Sequence, residues 1–417
     1  MTTWDAIVCG AGAAGLATAR ALADLGLRTL VLDKQRRPAP VAKGEVLQPA
    51  ALRILTRWGV TAALTAAGAV PLTRLTIRGP DATPLMVFDY TTLPTGYRTL
   101  LSHDHTAILT ALAQSLPAHT EIRRGAFAAT LLHDPTGRVT GVRVRRDGAT
   151  EDVHAPLVIA ADGMSSRLRR AAGIPLTTRA YPHRLLSFEL PGAPPEPGDV
   201  TAYRTPRGLR LVYPLPHGRT RIYVQIRPHE VRGADHAAMT RWAAALDHDT
   251  PALRPLTERL TGSLATRQVF TLRRCTAPTL TVPGLALVGE AAHAVHSLAA
   301  QGMNTAICDA HTLAHHLATA PDTDTALAAY EAERLPWIRH IAVMSHDAAR
   351  LVTATGRTTR ALGRRALRRT HHSPRLRYTA TYNLAGLGIH PFAPLDRLHQ
   401  LGLPDPRATH VPPWQPQ

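Results

Sequence analysis

The chain has 417 residues, 45% of them hydrophobic and 19% charged, which supplies core for two or three domains and excludes a disordered or fibrous protein. Its 48 basic against 30 acidic residues leave a charge of +18, nearly all of it scattered arginine, and with only 5% aromatics no stacking platform marks it as a nucleic-acid binder. No apolar run reaches the roughly 18 residues of a spanning helix, and Asp5 interrupts the first residues, so neither a membrane span nor a secretory leader is expected and the chain reads as cytoplasmic.

Cys9, Cys275 and Cys308 lie far apart without metal-ligand spacing, so they read as reduced core residues and no metal site is expected. Residues 5–9 read as a buried strand, 13–25 as a helix and 27–32 as a second strand, the opening of an α/β fold with a parallel sheet. Between the first strand and the helix stands Gly10-x-Gly12-x-x-Gly15, with Ala14 inside the pattern. Gly10 suits a tight turn, Gly12 close approach of a pyrophosphate, and Gly15 close helix–strand packing. The helix start offers free N–H groups to phosphate. Asp33, with Lys34 beside it, closes the second strand roughly 20 residues on, where a carboxylate binds a ribose diol.

Lys43 opens the segment KGEVLQP, where it reads as a nucleotide contact or as a solvated turn residue. Residues 71–90 and 185–226 alternate like strands, with a Pro/Gly-rich turn at 192–198 and a hairpin around His217 and Gly218; they are expected to pair in a separate antiparallel sheet. Tyr203, Tyr213, Tyr223 and Gln225 on these strands are the candidate pocket residues, and the hairpin leaves open which face they take. Residues 157–161 form another apolar strand, followed by Asp162-Gly163 and a helix carrying Arg169, with Asp162 at or near its cap. Residues 285–288 repeat the strand pattern, followed by Gly289-Glu290 and then by Gly302-Met303-Asn304 at the head of a helix to about 317. Glu290 suits hydroxyl groups, and the helix head suits developing negative charge. From 322 the chain reads as helical and from 391 as loop. No acidic residue lies between Asp347 and Asp396, while eight arginines crowd residues 357–377; this reads as a solvated helix face or as a face lying on anionic membrane.

The three glycine-containing segments together resemble the single-component flavin monooxygenases, whose type member hydroxylates 4-hydroxybenzoate. Of that family's third segment the chain keeps Gly289, Ala291, Ala292, His293, Gln301, Gly302 and Asn304, and AAYEAERLP from Ala328 looks like its following helix. KGEVLQP is similar to squalene-epoxidase and polyprenylphenol-hydroxylase members. The resemblance implies a Rossmann-like FAD-binding domain (1–70, 97–180, 267–330), an inserted antiparallel-sheet substrate domain (71–96, 181–266) and a helical C-terminal region (331–417). It implies FAD held by Gly10, Gly12, Ala14, Gly15, Asp33, Lys34, Lys43, Asp162, Gly163, Arg169, Gly289, Glu290, Gly302, Met303 and Asn304. It further implies NADPH or NADH as a transient co-substrate, and oxygen passed from a flavin C4a-hydroperoxide to a small lipophilic aromatic or isoprenoid molecule.

The flavin carries that chemistry, so no catalytic triad is expected; His293, His296 and Ser297 are the nearest side chains, the histidines reading first as structural. The chain departs from the family at Glu290, where Asp is usual, at Ser297, where Pro is usual, at Ala300, where Gly is usual, and at His105, where an arginine is common. A flavin halogenase is set aside because tryptophans 4, 58, 242, 337 and 414 cannot form its Trp-x-Trp signature. A prenyl reductase without oxygen insertion stays open as the alternative.

Overall fold

The computed structural model describes residues 4–416. Strand Ala6–Cys9 is buried at all four residues and lies between two parallel neighbours, Thr29–Asp33 and Leu157–Ala160. Leu285–Leu287 extends the sheet on one side and Thr120–Arg124 on the other, both parallel. Helices cover one face of these strands and a three-stranded antiparallel sheet (Ala126–His133, Val139–Arg146, Ala149–His154) covers the other, which is why they carry continuous apolar runs instead of alternation. Helices α1 (Ala13–Ala23) and α2 (Gln301–Thr319) pack on one another against this sheet.

The alternating segments form a second, eight-stranded sheet. Its spatial order is His293–Ala294, Gln268–Thr276, Arg179–Pro191, Arg219–Ile226, Gly208–Leu215, Asp199–Thr205, Arg74–Arg78 and Pro84–Asp89. The antiparallel expectation needs one correction: Asp199–Thr205 runs parallel to Arg74–Arg78. These two strands come from distant parts of the chain, so no turn forces them antiparallel. The expected hairpin forms around His217 and Gly218, both at positive φ (59° and 65°). Helices His236–Asp249 and Arg254–Gly262 cover one face of this sheet with Met239, Leu246, Leu256 and Leu260. The other face packs against the C-terminal helices through Val352, Leu367 and Tyr382 and against Val46, Tyr97 and Leu298 of the connecting segments.

Those helices are α3 (Thr323–Thr353), α4 (Arg357–His372), α5 (Pro374–Leu384) and α6 (Pro394–Leu401). Helix α6 corrects the expectation of loop from residue 391. Pro394 suits a first turn, Asp396 accepts from the Ala393 N–H at 2.9 Å, and Gly402 ends the helix at φ 118°. No helix of the described residues is long and apolar enough to cross a membrane.

Candidate active site

The three glycines after Ala6–Cys9 do separate physical work. A Cβ on Gly10 (φ 115°) would lie 2.3 Å from the Ala161 carbonyl oxygen, and one on Gly15 would lie 1.7 Å from that of Gly10. Both positions hold strand and helix together. Gly12 differs, because among the described residues nothing lies within 4 Å of its missing Cβ and it heads α1 with no side-chain cap. The unpaired N–H groups of the first turn therefore meet open space, the arrangement that receives a phosphate.

That space is a cleft of about 1080 Å³. Gly10, Gly12, Ala14, Asp33, Lys34, Lys43, Asp162, Gly163, Glu290, Ser297, Gly302 and Met303 all line it. At one end Asp33 accepts from Gln35 N–H at 2.9 Å and from Arg124 at 3.2 Å. In the middle Asp162 Oδ2 caps the following helix through Arg167 N–H at 2.8 Å, while its Oδ1 is buried without a partner. His105 Nδ1 is likewise buried and unpartnered on the cleft wall, and burial pushes that ring's pKa down. Lys43 and Glu290 form an ion pair further along. At the far end α2 begins at Gln301 with no side-chain cap, so its N–H groups also point at the cleft.

Four expected cofactor residues stand back from the cleft. Gly15 is the packing position just described. Gly289 is wedged in, its absent Cβ falling 2.6 Å from that of Ala14. Arg169 is buried and donates to the carbonyls of Ala291 (2.9 Å) and Met164 (3.3 Å), tying two loops together. Asn304 accepts from Gln48 N–H at 2.7 Å and donates to the Ala300 carbonyl, so its side chain latches the head of α2 to the KGEVLQP segment.

Beyond Lys43 and Glu290 the cleft meets a second cavity of about 120 Å³, walled by Leu75, Leu100, Val200, Leu211, Leu272 and Leu298. Tyr213 and Tyr223 line it, while Tyr203 and Gln225 do not. Strand register explains the split. The three-residue turn pairs Tyr213 with Arg221 and Leu211 with Tyr223, so odd-numbered residues of both strands share the cavity face. Tyr203 pairs with Arg210, whose other partner Val224 packs under the covering helices, and Tyr203 packs there too. Gln225 has the right parity but lies at the strand's far end, bonded to Leu209 N–H at 2.9 Å and the Thr353 carbonyl at 3.0 Å.

Glu45 and Arg221, at the polar end of this cavity beside Tyr213, were not among the expected site residues. Glu45, 3% exposed, accepts from Arg221 Nε at 2.9 Å, Arg221 Nη2 at 2.8 Å and Tyr213 OH at 2.8 Å. Burial pushes the Glu45 carboxyl up, while Arg221 and Tyr213 pull it down. The signal was available: Glu45 sits inside the KGEVLQP segment, and Arg221 is two residues from Tyr223 on one strand.

The nearby histidines are both buried in hydrogen-bond networks. Asp309 is buried with His293 at 2.7 Å, Arg334 at 3.0 Å and the Gly289 N–H at 3.1 Å, which fixes the Gly289 turn. Burial alone would raise that carboxyl, yet His293 and Arg334 hold it below its usual range. His296 is fully buried; its Nδ1 accepts from Leu298 N–H at 3.1 Å, so Nε2 carries the proton and donates to His183 Nε2 at 3.1 Å. Ser297 is exposed on the wall of both cavities.

A glycine cradle, a ribose-side carboxylate and a second uncapped helix end thus face one elongated cleft. The model of the FAD binding domain family matches residues 3–345. The chain belongs to this family of FAD-dependent monooxygenases. It is 30% identical to the 3-demethoxyubiquinol 3-hydroxylase of Escherichia coli over 340 residues, 78% of this chain and 82% of that one. It is 29% identical to the ubiquinone hydroxylase UbiL of Rhodospirillum rubrum over 361 residues, 80% and 78% of the two chains. In fold it is similar to pqsL of Pseudomonas aeruginosa, described as a probable FAD-dependent monooxygenase, with TM-score 0.77 and 24% identity over 87% of this chain and 99% of that one. As a member of the family the chain takes FAD. The cleft fits it: among the described residues nothing fills the face at Gly12, which suits a phosphate, and Asp162 Oδ1 is buried without a donor, which suits a ligand hydroxyl.

Proposed function

We propose that the chain accepts hydride from NADH or NADPH and uses O2 to place one oxygen atom on a small lipophilic aromatic or isoprenoid molecule, with hydroxylation the leading outcome. The observation that carries this reading is the junction of the two cavities. Lys43, Gly44, Glu290, Ala294, Val295, Ser297 and Ala300 wall both, so a molecule in the apolar cavity touches the end of the cleft where α2 begins. Bound there, FAD supplies the redox and oxygen chemistry. The chain's own part is positional. Gly12 and α1 hold phosphate, Asp33 holds ribose, Gly302 and Met303 offer N–H groups to the reduced ring, and the leucine walls keep water from the reacting centre. In this reading segments 1–70, 97–180 and 267–330 hold the nucleotide, 71–96 and 181–266 hold the substrate, and 331–417 closes the back. The names of the two relatives, hydroxylases of quinone-type molecules, support a ring substrate. The test is mass spectrometry of product formed under 18O2 from a panel of lipophilic phenols and terpenoids with either nicotinamide. Labelled product is expected; unlabelled product would favour the prenyl-reductase alternative.

A specific surface also favours membrane contact. Leu395, Leu398 and Leu401 form an exposed stripe along α6, with Leu403 and Leu362 of α4 exposed as well, each between 45% and 55%. Arg364, Arg365, Arg368 and Arg369 are exposed on α4, which packs on α6. Leucines flanked by exposed arginines suit an anionic bilayer surface, where each basic residue contributes about 1 kcal/mol. Sedimentation with phosphatidylglycerol vesicles should capture the protein, and Leu398→Glu with Leu401→Glu should release it. Equal recovery with and without vesicles would remove this contact.

A further inference from the structure

A third recess shares no lining residue with the flavin cleft or the small cavity. It is a groove of about 1120 Å³ between one end of the second sheet and helices α3, α4 and α6. Ile226, Leu351 and Ala366 give it an apolar floor, and Leu362 and Leu401 stand exposed on its rim. The carboxylates on or beside it each have a guanidinium already: Glu230 with Arg227 at 3.4 Å, Asp347 with Arg397, and Asp249 with Arg207 at 2.9 Å. Two cations are left over. Arg350 is exposed on the rim and has no carboxylate partner among the described residues. Arg204 is 6% exposed and lies directly behind the groove wall, where a Cβ on Gly363 would fall 2.6 Å from its Nη2. It donates to the carbonyls of Leu351 (2.6 Å), Arg360 (2.7 Å) and Thr359 (3.2 Å), and among the described residues no carboxylate answers its buried charge. Burial and the neighbouring Arg360 and Arg364 pull its pKa down to about 10, so it stays charged at neutral pH.

The walls add spare donors. His183 is 6% exposed and accepts the His296 N–H on Nε2, so its own hydrogen is on Nδ1, which has no partner among the described residues. Tyr181 OH and His346 Nδ1, 3.3 Å apart, use one hydrogen between them and keep a second in either tautomer. Gln225 gives one amide hydrogen to the Thr353 carbonyl and keeps the other, while its oxygen is taken by Leu209 N–H. Glu230 is occupied by Trp242 Nε1 and Arg227 N–H, each at 3.1 Å. We propose that this groove is a second binding site, for an amphiphilic anion: a single long-chain carboxylate whose head meets Arg350 and the spare donors over the Arg204 charge, and whose chain lies on the floor and the rim leucines. Arg204 and His183 are recessed, so a free single-chain molecule reaches them and the flat face of a bilayer does not. Charge-assisted hydrogen bonds to the head are about twice as strong as neutral ones, which favours the carboxylate over an alcohol of equal length.

The experiment is calorimetric titration of the FAD-loaded protein at pH 7.5 with decanoate, decan-1-ol and decyltrimethylammonium, without lipid and below micelle formation, with the visible flavin spectrum recorded alongside. Decanoate should bind at one site about tenfold tighter than either of the others and leave the flavin spectrum unchanged. Arg350→Glu, at an exposed position, should weaken decanoate about fivefold or more and leave the alcohol unaffected; Leu362→Asp should weaken both. Decanoate that alters the flavin spectrum and ignores Arg350→Glu sits on the flavin side and overturns the proposal. Equal affinity for the three compounds, or no binding, overturns it as well. Capture of the protein by phosphatidylglycerol vesicles without decanoate binding assigns the surface to a bilayer and likewise overturns it. The monooxygenase reading stands or falls separately on the labelled-oxygen test.

Discussion

Ala300 heads α2 with φ 51° and ψ 34°, in the left-handed region that a residue with a Cβ avoids. The conformation costs alanine roughly 1–2 kcal/mol, and glycine adopts it freely. Glycine also heads a helix better than alanine, by about half a kcal/mol or more. Two effects oppose the exchange. Glycine is freer in the unfolded chain, which costs about 0.4–1 kcal/mol. The Ala300 methyl is half-buried on the wall between the cavities, so its removal forfeits about 0.4 kcal/mol, half the value of a buried carbon. Ala300→Gly should therefore stabilise the FAD-free protein by about 1 kcal/mol. Ala300→Val should destabilise it by about 2 kcal/mol or more, since a β-branched side chain tolerates this region worst. Urea unfolding followed by circular dichroism measures both. FAD affinity of the glycine variant should stay within about twofold of the parent, because the N–H groups of Gly302 and Met303 do not move. A glycine variant equal to or less stable than the parent would refute the claim that Ala300 is strained.

Gly12→Val and Gly15→Val should fail differently. The first has empty space around its Cβ and should fold, at a loss of about 1 kcal/mol from the poorer helix cap, while losing FAD by at least tenfold; the second drives a methyl into the Gly10 carbonyl and should not yield folded protein, as circular dichroism would reveal. Asp309→Asn strands the buried Arg334 charge and should cost about 3 kcal/mol in urea unfolding. The His183–His296 pair should make the protein acid-labile. Burial depresses the two rings to about 4 and about 3, so as pH falls below about 6.5 the unfolded chain binds protons first and stability is lost down to the folded-state values. Between pH 7.5 and 5.5 the His183→Gln, His296→Gln double variant should lose roughly 2 kcal/mol less than the parent, and an identical loss would show that these rings do not carry the acid response.

The glycine cradle was legible in the sequence because each of its constraints is local. Gly10, Gly12 and Gly15 are set by a turn, an approach and a packing contact within a few residues, and Asp33 by the length of one strand–helix–strand unit. The long reach of Asn304 to Gln48 and of Arg169 to Ala291 was not legible, since those side chains answer to partners 256 and 122 residues away. Glycine and asparagine in one short segment read alike on paper, yet Gly302 offers backbone to the cleft while Asn304 latches two segments together.

Tyrosine parity fails as a sequence argument for a related reason. It needs the residue count of the turn, and only the pairing of Leu215 with Arg219 shows that three residues intervene and preserve the odd positions on one face. Helix α6 was hidden by composition, since two prolines precede a short leucine-rich stretch that a reader of proline takes for loop. Its capping carboxylate and terminal glycine were present all the same. The polar end of the small cavity lies between these cases. Glu45 and Arg221 are 176 residues apart, and a buried carboxylate is tolerable only where a cation meets it. A lone glutamate in an apolar segment is thus a local sign that a distant arginine must arrive, although which arginine is decided by the sheet.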